Sequence, residues 1–321
     1  MEKKYLKRTG IFLIASVVLF AILFGLMKAD IIGRYYTQII ILMGINVILA
    51  LGLNLILGFT GQLALGHAGF MSVGAYTAAM LTIKLHLPFL VVIILGGVMA
   101  GLFGLLIGIP TLRLKGDYLA ITTLGFAQII QVAITNIEPL GGARGLAGIP
   151  PKTTFVWTFF IVVAVIAIIY NIVNSSQGRA MISISEDEIA SEAMGINTTK
   201  YKMMAFVIGS AFAGVAGALY AHYYMFLDPA SFNFMKSVDI VAYVVLGGMG
   251  SIAGSVISAS ALTGILEALR PLGDFRMVIY PILLILIMRF RPQGLLGKSL
   301  GAKSLFKNKR KGGKNVTAES K

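Results

Sequence analysis

The side chains of this sequence that could do chemistry are concentrated in one acidic cluster. Four carboxylates and the small or apolar residues among them share a polar stretch, 174–202: Glu186, Asp187, Glu188, Ile189, Glu192, Ala193 and Gly195. On a helix, the carboxylates would lie mostly on other faces than the apolar residues. No nucleophile with a base and no set of metal ligands accompanies them. Such a cluster favours docking on a soluble partner over catalysis.

The same stretch carries signals for a short helix. Ser185 and Glu188 have the spacing of a capping box, which predicts a helix start. Gly195 supplies a left-handed stop, so the predicted helix runs from Glu186 to Met194. This helix would carry one apolar stripe, formed by residues at i, i+4, i+7 spacing: Ile189, Ala193 and Ile196.

Two apolar runs flank this stretch, 154–173 and 203–223, and each has about the 20 residues with which a helix crosses a bilayer. Over the whole chain 57% of the residues are hydrophobic, 12% are charged, and the mean hydropathy is +0.88. This composition excludes a soluble globular protein and predicts an all-α polytopic integral membrane protein. The acidic stretch is therefore a loop at a membrane face.

The net charge of +14 does not indicate nucleic-acid binding, because the basic residues are concentrated at the two ends. Ten of the 27 follow Met288 and four precede Ile11, which is the pattern of positively charged cytoplasmic flanks. The chain has no cysteine and only three scattered histidines. We therefore expect no disulfide, no metal site and no cofactor.

Seven apolar spans can be assigned directly: about 11–27, 38–58, 62–83, 89–109, 118–135, 154–173 and 203–223. The next apolar run, 237–268, is interrupted by Gly247–Ser251, and glycine is where helices break most easily. We interpret it as two short spans that meet at a cytoplasmic turn. A last span, 277–288, then gives ten crossings and places both termini in the cytoplasm. The alternative is a re-entrant pair and eight crossings.

Two glycine-rich breaks look alike. Residues 57–64 and 246–253 share the pattern Leu-Gly-x-x-Gly-polar-aliphatic-Ala. Transporters often carry paired, glycine-interrupted helices that arose by duplication, and these tend to lie near the substrate route. In a membrane protein this rich in glycine, chance is the other explanation.

Several motifs carry a resemblance to a known family: Gly178-Arg179-Ala180, Glu186–Ala190, Glu192–Ile196, Gly61–Phe70, Gly74-Ala75-Tyr76, Leu112–Tyr118, Gly141–Pro150 and Phe290–Gly297. Over roughly 51–297 the sequence resembles the LivM-type permease subunits of branched-chain amino-acid ABC importers. Met194 departs from the alanine common in the wider group of importers.

The resemblance implies that 174–202 is a cytoplasmic coupling loop through which ATPase subunits drive the membrane subunit. It also implies a second, homologous permease subunit, two ABC ATPase subunits and an extracytoplasmic substrate-binding protein, at a bacterial plasma (inner) membrane. ATP hydrolysis would belong to the partners, so this chain would not be an enzyme. Residues 1–297 would form the permease domain, and 298–321 a basic, disordered cytoplasmic tail.

Few polar side chains within the spans are available to line a substrate route: Asn54, Gln62, His67, Gln128 and Gln131. Such a route suits a small zwitterion with an apolar side chain. The resemblance implies leucine, isoleucine and valine, while other amino acids, urea and short amides stay open. A stand-alone channel or secondary transporter is the rival, but only Asp239 and Glu267 are ionisable near the spans. Gln62 and His67 have a second interpretation, in which they only tie helices together.

Overall fold

The computed structural model describes residues 17–28, 33–114 and 116–275, with 279, 281, 282, 284, 285, 289 and 294. Its helices, in chain order, are α1 (Val17–Lys28), α2 (Arg34–Thr60), α3 (His67–Leu85), α4 (Phe89–Thr111), α5 (Asp117–Asn136), α6 (Phe155–Asn174), α7 (Ser176–Glu186), α8 (Glu188–Ala193), α9 (Thr198–Tyr224), α10 (Phe234–Gly247) and α11 (Ile252–Ala268). Short 3-10 turns occupy Glu138–Leu140, Gly142–Arg144, Pro229–Phe232 and Arg270–Phe275. Over the described residues the regular structure is helical, as predicted.

Within the described part of the chain, six helices are long and apolar enough to cross a membrane, namely α2, α3, α4, α5, α6 and α9. The predicted first span falls partly on α1, and the short spans of the 237–268 run fall on α10 and α11. Most of the predicted last span, 277–288, lies outside the described residues, and so does the whole tail 298–321. Ten crossings therefore stay a prediction.

α2 forms the centre of the fold. Every residue from Ile45 to Leu57 is buried, and the helix is surrounded by α6, α7, α9, α10 and α11. Its backbone approaches that of α9 closely, since a Cβ at Gly52 would stand 2.9 Å from the Gly209 carbonyl oxygen. Small residues at such crossings give the van der Waals contact that holds membrane helices together.

The predicted break in the 237–268 run is confirmed. α10 ends at Gly247, and α11 begins at Ile252 with the Ser251 hydroxyl accepting a hydrogen bond from the Gly254 amide at 3.1 Å. Gly248, with φ 97°, and Gly250, with φ 76°, adopt the positive values that glycine tolerates.

The two ends of the bundle are marked by different contacts. At one end Leu146, after α5, and Leu227, after α9, form an antiparallel bridge with N···O distances of 2.8 and 2.9 Å. These belong to two loops predicted to lie outside. The segment between α6 and α9 lies at the other end, because the 27 residues of α9 span about 40 Å.

Candidate functional site

The polar stretch between α6 and α9 folds into two short helices. α7 is capped by Ser175, whose hydroxyl accepts from the Gly178 amide at 3.2 Å. α8 is capped by Asp187, whose carboxylate accepts from the Ala190 amide at 3.0 Å. The predicted helix from 186 to 194 is therefore wrong at its start, since Glu186 is the last residue of α7.

The predicted capping box is also wrong. Ser185 lies in the last turn of α7, and its hydroxyl donates to the Ile182 carbonyl at 2.8 Å. Glu188 forms an ion pair with Lys202 on α9, with 2.6 Å between the charged atoms. Aspartate caps a helix as well as serine does, and the charge of Lys202 draws Glu188 away from a capping position.

The predicted stop at Gly195 is confirmed. Gly195 has φ 82°, and its amide donates to the Glu192 carbonyl at 2.9 Å. The Ile196 amide donates to the Ser191 carbonyl at 3.1 Å, which completes a Schellman motif.

The predicted coupling residues are mostly exposed. Ile189 of this set is 78% exposed, and Met194, which lies beside the set but is not part of it, is 83% exposed. Five further members of the set are also exposed: Glu186, Asp187, Glu192, Ala193 and Gly195. Ser191 is instead buried, and its hydroxyl lies 2.7 Å from that of Ser183. Large apolar side chains beside carboxylates form a surface that a protein partner would cover.

α7 anchors the α7–α8 segment in the helical bundle. Met181 is fully buried and packs in a cluster with Leu55 and Phe59 of α2 and Ala205 of α9. Ile252, the first residue of α11, packs against the same cluster. Because close-packed side chains transmit displacement, a force on α7 would reach α2, α9 and α11.

Asn54 connects α2 to the turn between α10 and α11. Its side-chain oxygen accepts from the Gly250 amide at 2.9 Å, and its side-chain nitrogen donates to the Ser251 carbonyl at 3.2 Å. One turn further on, a Cβ at Gly58 would overlap the Gly250 nitrogen. The two similar glycine motifs therefore lie against each other, and the buried Asn54 has a structural role.

Gln62 lies in the segment that joins α2 to α3, and His67 is the first residue of α3. Both are buried, at 3% and 1% exposed. Neither polar side-chain atom of Gln62 has a hydrogen-bond partner among the described residues. The His67 ring faces the Leu49 backbone without a hydrogen bond of ordinary geometry. These side chains do not tie the described helices together by hydrogen bonds, so their place on a substrate route stays a prediction.

Gln128 and Gln131 lie one turn apart on α5, and both are half-buried. The Gln131 side-chain amide donates to the Pro229 carbonyl at 3.1 Å, which fixes the chain that leaves α9. The five predicted route residues thus divide between the Asn54 contact, the buried Gln62–His67 segment and this face of α5.

Sequence reasoning missed a polar network around Lys236. The Lys236 ammonium lies 3.4 Å from the Asn46 side-chain oxygen, and the Asn46 amide donates to the Thr263 hydroxyl at 3.0 Å. The predicted span began at Ser237, so Lys236 was left outside it. The available signal was a lysine directly before an apolar run, three residues from Asp239.

A groove of 560 Å³ lies at the end of α2 that begins with Arg34. In its wall the Glu267 carboxylate accepts from the Tyr35 hydroxyl at 2.5 Å and from Arg270 at 2.8 Å. The charged side chains in the wall of the groove, Glu267 and Arg270, therefore pair with each other. No group of three or more metal-binding side chains occurs among the residues that the structure describes.

The sequence profile of one protein family, the permease component of branched-chain amino acid transport systems, matches residues 35–288. The chain belongs to this family. The matched region contains the α7–α8 segment, Gln62, His67 and the Lys236 network.

Among the relatives are the high-affinity branched-chain amino acid transport system permease proteins LivM of Salmonella typhimurium and Escherichia coli. Each is 36% identical over an alignment of 260 residues, and the alignment covers 70% of this chain and 61% of the relative. The chain therefore spans about three fifths of the length of these LivM permeases. The permease protein LivH of Escherichia coli is 37% identical over 138 residues, 42% of this chain and 44% of LivH. No solved structure matches the chain.

Proposed function

We propose that this family member is a membrane subunit of an ABC importer that moves branched-chain amino acids across the bacterial plasma membrane. The observation that carries this proposal is the two-sided α7–α8 segment. Its outer side exposes Ile189 and Met194 beside carboxylates, while its inner side buries Met181 in the bundle. A surface so placed suits a soluble subunit that pushes on the membrane domain.

The mechanism follows from the contacts of this segment. Closure of the ATPase subunits would displace α7 and α8, and Met181 would transmit that displacement to Leu55 and Phe59 on α2. Asn54 joins α2 to the α10–α11 turn, so α10 and α11 would move with it. The chain itself binds no ATP in this proposal, and the energy comes from its partners.

Four partner subunits complete the proposed importer: a second homologous permease, two ABC ATPases and an extracytoplasmic substrate-binding protein. The relatives named LivM and LivH are both permease proteins of branched-chain amino acid transport systems, which supports two different membrane subunits. Exposed apolar side chains on α5, such as Ile121, Ile129 and Val132, would face lipid or the second permease.

The identity of the imported substrate is a separate part of the proposal. The names of the relatives and the low charge of the helices favour leucine, isoleucine and valine. Import of another small solute, such as another amino acid, urea or a short amide, is the alternative. A stand-alone channel or secondary transporter is the rival of another class, and it would need no ATPase.

The proposal is tested by producing the chain with its candidate partners and purifying it from detergent-solubilised membranes. We expect the ATPase subunits to co-purify, and vesicles with the full complex to take up leucine only with ATP and the binding protein. Uptake of urea but not leucine would refute the substrate. Uptake by the chain alone, without ATP, would favour the rival.

Topology is tested separately with single cysteines, because the chain has none of its own. We propose cytoplasmic termini, so cysteines introduced in place of Gly141 and Asp228 should react with an impermeant reagent from outside, and one in place of Glu192 only from inside. A cysteine in place of Asn315 that reacts from outside would contradict this orientation.

A further inference from the structure

Lys236 reaches the middle of the helical bundle. It lies in the first turn of α10, and its ammonium contacts Asn46, which is 3% exposed. Asn46 is twelve residues into the 27 of α2, about 18 Å along a helix of about 40 Å. The ammonium therefore lies near the mid-depth of a helix that is long enough to cross the membrane.

The ammonium is poorly compensated at this depth. A lysine has three N–H donors. The Lys236 ammonium donates a long hydrogen bond, 3.4 Å, to the neutral side-chain amide of Asn46. Among the residues that the structure describes, no carboxylate lies within 4 Å of it. Charged side chains inside a membrane are costly, and they mark substrate or ion pathways.

The chain before α10 has the character of a water-filled route. Leu227 lies at the bridged end of the bundle, whereas Lys236 lies at mid-depth. The chain between them is no continuous α-helix, because it runs through the 3-10 turn Pro229–Phe232 and the extended Asn233 before α10 begins. Such backbone occurs at membrane depth only where protein buries it or where it lines a cavity. Ser231 and Asn233 within it are polar and exposed, which favours a cavity.

Asp239 stands one turn beyond Lys236 on the same side of α10, and both side chains are half-buried. Apolar side chains on the adjoining face are exposed: Phe234, Met235 and Val238. The surface thus offers a cation, an anion and apolar contacts within two turns of helix.

We propose that Lys236 and Asp239 form a binding site on the translocation route for the zwitterionic head group of an α-amino acid. Lys236 binds the carboxylate, Asp239 binds the ammonium, and Phe234, Met235 and Val238 contact an apolar side chain. This site deepens the proposed function and rests on it. It would reject solutes without charge, including urea and short amides.

The test uses the full complex in proteoliposomes with the binding protein. Lys236→Cys is compared with Lys84→Cys, an exposed lysine at the end of α3. We expect Lys236→Cys to lower leucine uptake about tenfold or more, while binding-protein-stimulated ATP hydrolysis persists. The control should import like the unmodified complex.

Chemical rescue then separates charge from size. Aminoethyl methanethiosulfonate adds an ammonium to the introduced cysteine of the Lys236→Cys variant and should restore uptake, whereas methyl methanethiosulfonate adds a neutral group and should not. The unmodified complex, treated with both reagents, controls for cysteines in the partners. Equal rescue by both reagents would show a packing role and overturn the site. The site would also be overturned if the introduced cysteine reacted with neither reagent in both the nucleotide-free and the vanadate-trapped complex. A residue on the route must be exposed to water in at least one of these two states.

Three further variants keep the site testable if the cysteine variant does not assemble. Lys236→Arg should retain uptake and Lys236→Gln should lose it, and equal uptake by the two would overturn the proposal. Asp239→Asn should also lose uptake. An unmodified complex that imports no amino acid refutes the proposed function itself. Leucine import that is unchanged by both Lys236→Gln and Asp239→Asn refutes this site alone.

Discussion

The side-chain oxygen of Asn54 lies 2.9 Å from the amide nitrogen of Gly250, although the two residues are 196 positions apart. This hydrogen bond fastens the turn between α10 and α11 to the last third of α2. It places a buried amide where two glycine motifs of similar sequence meet. The turn also adjoins the cluster around Met181, through Ile252.

Replacing Asn54 by alanine should destabilise the permease. The substitution leaves the Gly250 amide without the Asn54 oxygen, at a cost of about 1–3 kcal/mol. It also removes the bond to the Ser251 carbonyl, which still accepts from the Ser255 amide at 3.1 Å. The midpoint of thermal unfolding in detergent measures the effect. Asn136→Ala is the control, because the Asn136 side chain is exposed and bonds only within its own helix. Similar midpoints for the two variants would contradict the role of Asn54.

Alanine at Gly58 should prevent correct packing, because its Cβ would overlap the Gly250 nitrogen and the Asn54 side chain. Overpacking of this kind costs about 1–3 kcal/mol or more. Gly125→Ala, also in a helix, is the matched control, because no atom lies within 4 Å of its added Cβ. There we expect a gain of roughly 0.5–1 kcal/mol. The amounts of folded protein, read by gel filtration in detergent, should separate the two, and a reversed order would refute the contact.

The cap of α8 can be separated from its charge. Asp187→Ala removes the acceptor of the Ala190 amide and should weaken the start of the helix by about 1 kcal/mol. Asp187→Asn keeps a good capping side chain and removes the charge. We expect the alanine variant to lose binding-protein-stimulated ATP hydrolysis and the asparagine variant to keep most of it. Equal loss in both would mean that the carboxylate charge matters and the cap does not.

Ile189→Ser should weaken the association of the ATPase subunits without changing the stability of the permease, because Ile189 is 78% exposed. The ATPase retained during affinity purification gives the readout, with thermal unfolding as the check on stability. Leu85→Ser is a control at the far end of α3, where the side chain is 62% exposed. Full retention of the ATPases by the Ile189 variant would remove α8 from the coupling surface.

Replacing Gln62 by methionine, which has a similar shape, should stabilise the isolated permease by about 1–3 kcal/mol. The reason is that the buried amide has no hydrogen-bond partner among the described residues. If Gln62 serves the substrate route, leucine uptake by the full complex should fall at the same time. A less stable variant would reveal a hydrogen bond that holds the amide in the folded protein.

Local patterns in the sequence were enough to predict the all-helical membrane class, the glycine break after α10 and the stop at Gly195. Each depends on a property of neighbouring residues: the length of an apolar run, the conformational freedom of glycine, or the hydrogen bonds of one helix end. The prediction that the acidic segment lies on the surface required only that it be polar between two apolar runs. These features need no knowledge of which helices meet.

Tertiary structure alone decided the rest. Asp187 rather than Ser185 caps α8, and Glu188 is drawn away by Lys202 on another helix. The partners of Asn46 are Thr263 and Lys236, 217 and 190 positions away, and periodicity along one helix carries no information about such pairs. The physical reason is that a polar group in a membrane must find its partner wherever the packing of helices places one, and that packing is a property of the whole fold.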